Sequence, residues 1–233
     1  MTRHDSKIPS REGSSFDCYL ALPDGGGKVP AVVLTSAVFG VDDDIRRIAD
    51  ELATRGFIAA APNLFWRDGT GPLPMGHERA SKRAEPRLAK IAGGEADLAD
   101  VLAWLRQQPL FNGRAAVMGF CYGGPYAILG PKRLGYDAGI SCHGTQLLDY
   151  VGELEGLRKP VCLLWGDQDV KAPAEVLEAY RAAAARMGNV ELHVFPGVLH
   201  GYTMRANTKA FDQRAYDFSM ARTLAILDTL RTS

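Results

Sequence analysis

Three residues in this sequence have side chains that together can break and remake an acyl bond, and each follows a run that reads as a β-strand. Cys121 lies in Gly119-Phe120-Cys121-Tyr122-Gly123-Gly124, between a strand-like run at 114–118 and a helical stretch reaching to about Leu129. Gly-x-Cys-x-Gly at such a junction is the pattern of a nucleophile carried on a tight strand-to-helix turn. Flanking side chains would collide with neighbouring elements there, so glycine is needed on either side. A helix N-terminus beside the thiol favours the thiolate, the reactive form. Taken alone, the motif also fits a buried structural cysteine.

Partners for that cysteine come in a telling order. Asp169 follows the strand-like run 161–165, in Gly166-Asp167-Gln168-Asp169. His200 follows the run 190–195, in Leu199-His200-Gly201-Tyr202. Nucleophile, acid, base is the chain order of one recurring triad arrangement. In these roles His200 takes the thiol proton and later activates water, while Asp169 orients the imidazole and stabilises its cation. The residues alone leave Asp167 as a second candidate for the acid, its other use being a turn.

The remaining reactive side chains point to packing. Cys18, Cys142 and Cys162 lie in strand-like runs and read as core residues, and no pair of cysteines has CxxC spacing. His143 ends a strand-like run and can line a pocket or serve as an ordinary loop histidine. His77 and His193 have no partners at ligand spacing, and the chain holds no HExxH, phosphate-binding loop or dinucleotide fingerprint. No metal or organic cofactor is implied. Phe39, Trp66, Tyr122 and Tyr202 are candidates for apolar pocket walls.

Placing Cys121, Asp169 and His200 together demands a particular scaffold. Strand-like runs at 16–22, 31–34, 57–61, 114–118, 138–142, 161–165 and 190–195 alternate with helical patterns at 42–55, 78–91, 95–108, 174–187 and 211–230. Such alternation predicts an α/β fold, a mostly parallel twisted sheet with helices on both faces. The three residues would then share the C-terminal edge of that sheet, where open α/β sheets bind ligands. The Gly- and Pro-rich stretch 63–76 reads as a long functional loop. Gly93-Gly94 is read as the break between two helices, and Pro86 weakens the first of them.

Composition narrows the partners. The chain has 233 residues, 46% hydrophobic and 23% charged, enough for one sizeable core without disulfides. We expect a single domain over residues 1–233. With 27 basic and 27 acidic residues, the chain gives no electrostatic reason for a nucleic acid or an anionic membrane as partner. No apolar run reaches the length of a membrane helix, and the first fifteen residues lack the apolar core of a signal peptide. A cytoplasmic protein with reduced thiols, a monomer, is expected.

Taken together, these motifs resemble the dienelactone hydrolase (carboxymethylenebutenolidase) family of the α/β-hydrolase fold. The resemblance runs from about Phe16 to Leu230 and rests on Val38-Phe39-Gly40, Gly-Phe-Cys-Tyr-Gly-Gly, Gly-Asp-Gln-Asp and His-Gly-Tyr, in that order. It selects Asp169 over Asp167. It implies attack of the Cys121 thiolate on a lactone carbonyl and an oxyanion held by the backbone N–H groups of Val38 and Tyr122. A thioester, hydrolysed with His200 as base, would give maleylacetate. It implies a small anionic lactone or ester as substrate, its carboxylate taken by Arg79 and Arg205. One position departs from the family pattern. Where the family carries Glu just before its Ile-Phe-Gly segment, this chain has Ala37. Alanine can neither accept a proton nor pair with arginine, so Cys121 is expected to draw on His200 and the helix dipole as a resting ion pair. The same change leaves room for another ester or thioester as substrate.

Overall fold

A single eight-stranded sheet runs through the chain in the order β1-β2-β4-β3-β5-β6-β7-β8. In this computed structural model the described residues are 1–69 and 71–231. Thr70, in the expected 63–76 loop, and the last two positions of the expected domain, Thr232 and Ser233, lie outside them. The strands are β1 (Thr2–Pro9), β2 (Ser15–Leu22), β3 (Val29–Thr35), β4 (Ile58–Pro62), β5 (Phe111–Phe120), β6 (Ala138–Cys142), β7 (Val161–Gly166) and β8 (Val190–Phe195). All pairings from β4 through β8 are parallel, and β1 and β2 join as an antiparallel margin. This is the mostly parallel α/β architecture expected from the alternation.

The central strands are apolar without alternation because both faces are covered. Ala31, Val33, Ala115 and Val117 feed one core, while Val32, Leu34, Ala116, Met118 and Phe120 feed the other. Helices α1 (Asp43–Thr54) and α6 (Gln213–Asp228) cover the second face. The first face is covered by α3 (Arg87–Leu105), α4 (Tyr126–Leu129) and α5 (Ala174–Arg186). Asp42 caps α1 by accepting from the Ile45 N–H at 3.0 Å, and Asp212 caps α6 by accepting from Ala215 at 2.8 Å.

Two elements depart from expectation. The N-terminal segment is a strand, β1, whose side chains are mostly exposed and of which only Ile8 is buried. Its pairing with β2, not an apolar pattern, makes it a strand. The two helices expected to part at Gly93-Gly94 part instead before Pro86. A short α2 (Arg79–Lys82) ends there and α3 runs unbroken through both glycines. Pro86 stands at the N-cap of α3 in extended conformation, where a missing N–H costs nothing. Gly94 has a packing reason, since a Cβ there would overlap the Tyr126 hydroxyl, which donates to the Ile91 carbonyl.

Candidate active site

The turns that follow β3, β5, β6, β7 and β8 meet at one edge of the sheet, and each brings one piece of a site. Cys121 stands directly after β5 with φ +50°, in the left-handed region that a side chain enters only under strain. The flanking glycines have the steric reason the motif implied. A Cβ on Gly119 would overlap the Gly123 carbonyl, and one on Gly123 would overlap the Thr35 carbonyl. Thr35, the last residue of β3, donates its hydroxyl to the Gly123 carbonyl at 2.9 Å and ties the two turns together. Beyond Cys121 the chain makes a 3-10 turn, the α4 turn and a π turn (Gly130–Leu134) in succession.

His200 is brought in by the turn after β8, and its Nδ1 lies 2.9 and 2.8 Å from the two carboxylate oxygens of Asp169. Asp169 is fully buried at its side chain and also accepts the Lys171 N–H at 2.8 Å. Asp167 does something else, accepting the Gly197 N–H at 2.7 Å as a turn residue. On its other side His200 shares the wall of one cavity with Cys121, which acts with Asp169 to favour the ring's cation. Burial disfavours a charge on His200, but Asp169 and Cys121 outweigh it and hold the ring's pKa up at about 9. Asp169, His200 and Cys121 thus stand together, and the thiol is half-buried. Cys18, Cys142 and Cys162 are fully buried, with burial pushing their thiols up.

The candidate oxyanion turn follows β3. Among the described residues the Val38 N–H makes no hydrogen bond, while its carbonyl accepts from Arg83 Nε at 2.7 Å. Arg83 is buried, lies 4.1 Å over the Phe65 ring, and donates a further bond to the Gly71 carbonyl at 3.0 Å. Gly40, at φ +87°, leaves room for this guanidinium, which a Cβ would meet at 2.9 Å. Tyr122 follows the nucleophile in the first 3-10 turn, where backbone N–H groups have no partner inside the helix. Ala37 is buried beside the turn and offers no polar group.

A cavity of about 360 Å³ opens over this thiol. Val38, Phe39, Arg87, Cys121, Lys171 and His200 are among its walls. Arg79 and Arg205 are not. Both are exposed, and Arg205 lies 5.9 Å from each of the Phe211 and Tyr216 rings. The arginine that lines the cavity is Arg87, the first residue of α3. It lies 4.4 Å over the Tyr122 ring and donates Nη2 to the carbonyls of Tyr122 at 3.0 Å and Thr145 at 3.3 Å. Its Nε is buried with no hydrogen-bond partner among the described residues.

Of the aromatic candidates only Phe39 lines the cavity by its side of the turn. Trp66 stacks on Phe16 at 5.9 Å and donates to buried Asp97 at 3.2 Å. Tyr202 is buried and bonded to Ser219 at 2.8 Å, and Tyr122 packs against Phe65. His193, without a partner along the sequence, meets Glu191 and Cys162 across β7 and β8, with ligand atoms within 4.8 Å of one another. That carboxylate is already paired with Arg222 at 2.7 Å.

A cysteine on a strained turn after β5, an aspartate after β7 and a histidine after β8 match the layout of an α/β-hydrolase. The dienelactone hydrolase family model matches residues 16–230, and the chain belongs to that family. Carboxymethylenebutenolidase 1 of Cupriavidus pinatubonensis is 30% identical over 228 residues, spanning 97% of this chain and 96% of the relative. A provisionally named carboxymethylenebutenolidase of Azospirillum brasilense is likewise 30% identical, over 95% of this chain and 96% of its own. A crystal structure of a provisionally named dienelactone hydrolase from Klebsiella pneumoniae superposes with a TM-score of 0.82 at 25% identity, covering 97% of this chain and 98% of that one. Its relatives' names make this chain a carboxymethylenebutenolidase-like hydrolase.

Proposed function

We propose that this protein opens a small anionic dienelactone to maleylacetate through a thioester on Cys121. The observation that carries the reading is the Asp169–His200 pair, 2.8 Å apart, set beside Cys121 in the wall of one cavity. The Cys121 thiolate attacks the lactone carbonyl, and the Val38 and Tyr122 N–H groups hold the oxyanion. The ring C–O bond breaks, and the enolate oxygen leaves with a proton from the His200 imidazolium. His200, now neutral, takes a proton from water, whose oxygen attacks the thioester and returns Cys121 as thiolate. Asp169 keeps the imidazole oriented and its cation stabilised throughout.

We assign the substrate carboxylate to Arg87 and Lys171, which line the cavity, in place of Arg79 and Arg205. Arg87 is a cation in that wall, and its guanidinium is held there by the Tyr122 and Thr145 carbonyls. With all four cysteines free, we place the activity in a reducing cytoplasm. A second reading, hydrolysis of another ester or thioester, is favoured by Ala37 and by exposed Leu88, Val170 and Leu199, each one residue from a cavity wall residue.

Ultraviolet loss of the dienelactone chromophore, with cis and trans isomers in parallel, tests the proposal. Turnover of either isomer by wild type and not by Cys121→Ala is expected. No turnover by folded protein whose Cys121 still alkylates would overturn the lactone assignment. Hydrolysis of neutral aryl esters or thioesters in its place would establish the second reading.

A further inference from the structure

Packed against the His200 ring lies a second histidine that the proposed reaction does not use. His143 follows β6, is 1% exposed, and holds the left-handed backbone conformation at φ +42°. A residue with a Cβ adopts that region at a cost unless its surroundings fix it there. Its ring is set edge-to-face against His200 at 5.1 Å and against Tyr202 at 5.3 Å, with Phe120 at 6.1 Å. Nε2 lies 2.7 Å from the Thr203 hydroxyl oxygen, and Nδ1 is buried with no partner among the described residues. A bare acceptor is cheaper to bury than a bare N–H, so the proton belongs on Nε2 and is donated to Thr203.

Thr203 is three residues from His200 on the same turn. That turn is held at several other points. Tyr202 is anchored on Ser219, and the Arg205 and Ala206 N–H groups donate to buried Asp44, each at 2.9 Å. His143 touches both the turn, at Thr203, and the His200 ring itself. We propose that His143 is a positioning residue: by clasping Thr203 and backing the His200 ring, it fixes that ring between Asp169 and Cys121. The inference rests on the reading of Cys121 and His200 as the reacting pair. Burial, and then the charge on His200, keep the His143 pKa well below the ordinary histidine value, so the ring that backs His200 is neutral.

Three variants test it. His143→Phe keeps a ring and removes the donor. Thr203→Val keeps the shape and removes the acceptor. His143→Gln keeps a donor at about the reach of Nε2. Two readouts need no substrate: the His200 titration followed by NMR, and alkylation of Cys121 by iodoacetamide at neutral pH, the other cysteines being fully buried. In His143→Phe and Thr203→Val we expect the His200 titration to fall from about 9 toward 6.5 and alkylation to slow about tenfold. His143→Gln should recover most of the rate, and the double variant His143→Phe/Thr203→Val should be no worse than either single one. A purely structural role would lower Tm and leave both readouts unchanged per folded molecule, and that result overturns the inference. Because neither readout involves the lactone, wild type that fails to turn over dienelactone yet shows these shifts would sink the proposed substrate and not this role.

Discussion

Asp169 meets the His200 ring through both carboxylate oxygens, so its contribution can be read from that ring. Asp169→Asn replaces one oxygen by an amide and removes the charge. The His200 titration should fall from about 9 toward 6.5, and kcat should drop by about 10²–10⁴-fold. An NMR titration unchanged from wild type would refute the coupling. Arg87→Met tests the anion assignment. It should raise KM for an anionic lactone about 10–100-fold, as loss of a charge-assisted bond does, with little change for a neutral ester. Equal losses on both substrates would show that Arg87 only props the Tyr122 carbonyl. At this scale the candidate residues were legible, because Cys121, Asp169 and His200 stand in local motifs. Arg83, Arg87 and His143 were not, since their roles depend on which turn each faces across the sheet edge. Helical charges at 79, 83 and 87 look alike along the chain, and only packing over Phe65 and Tyr122 separates the last two from exposed Arg79.

The elements hold that site by close approach, and paired glycines make the point testable. Gly93 and Gly94 are neighbours inside α3. A Cβ on Gly93 would meet only the Arg67 guanidinium at 3.6 Å, an ordinary contact, whereas one on Gly94 would overlap the Tyr126 hydroxyl. Gly93→Ala should therefore stabilise the protein, by up to about 1 kcal/mol, through helix propensity. Gly94→Ala should destabilise it by about 1–3 kcal/mol by forcing α3 away from Tyr126. Urea unfolding of the two variants checks this, and equal effects would mean that helix propensity alone governs the position. The same pair shows why the sequence misled. Two glycines in a row read as a helix end, and nothing local says that one of them exists for a tyrosine about thirty residues away. β1 was hidden for the opposite reason. As an edge strand it exposes Arg3, Asp5 and Lys7 and buries only Ile8, so it lacks the alternation that marks β2.

For the whole molecule, the charged side chains along the β1 edge argue against pairing of that edge between copies. We expect light scattering to return the mass of one chain at micromolar concentration, and a dimer would point to the β8 edge. Among the described residues no helix is long and apolar enough to cross a membrane. The pH dependence of stability joins the site to the entire fold. His200 titrates at about 9 when folded, and an unfolded histidine near 6.5. A raised folded value means that its contribution is complete below about pH 6.5 and is lost as pH rises through about 9. His143 is held well below 6.5 by burial and by the charge on His200, so its contribution has the opposite sense. It is present above the unfolded value and is lost as acid protonates the buried ring. Two rings 5.1 Å apart thus push stability down on opposite sides of a maximum near pH 6.5. His200→Gln should flatten the fall between pH 6.5 and 9, by about 1–3 kcal/mol, and leave the acid side intact. His143→Phe should flatten the acid side and, through the expected drop in the His200 titration, much of the fall between pH 6.5 and 9 as well. Urea midpoints for wild type and both variants from pH 5 to 10 measure this. Three parallel curves would mean that neither ring's folded environment differs from water and would overturn the prediction.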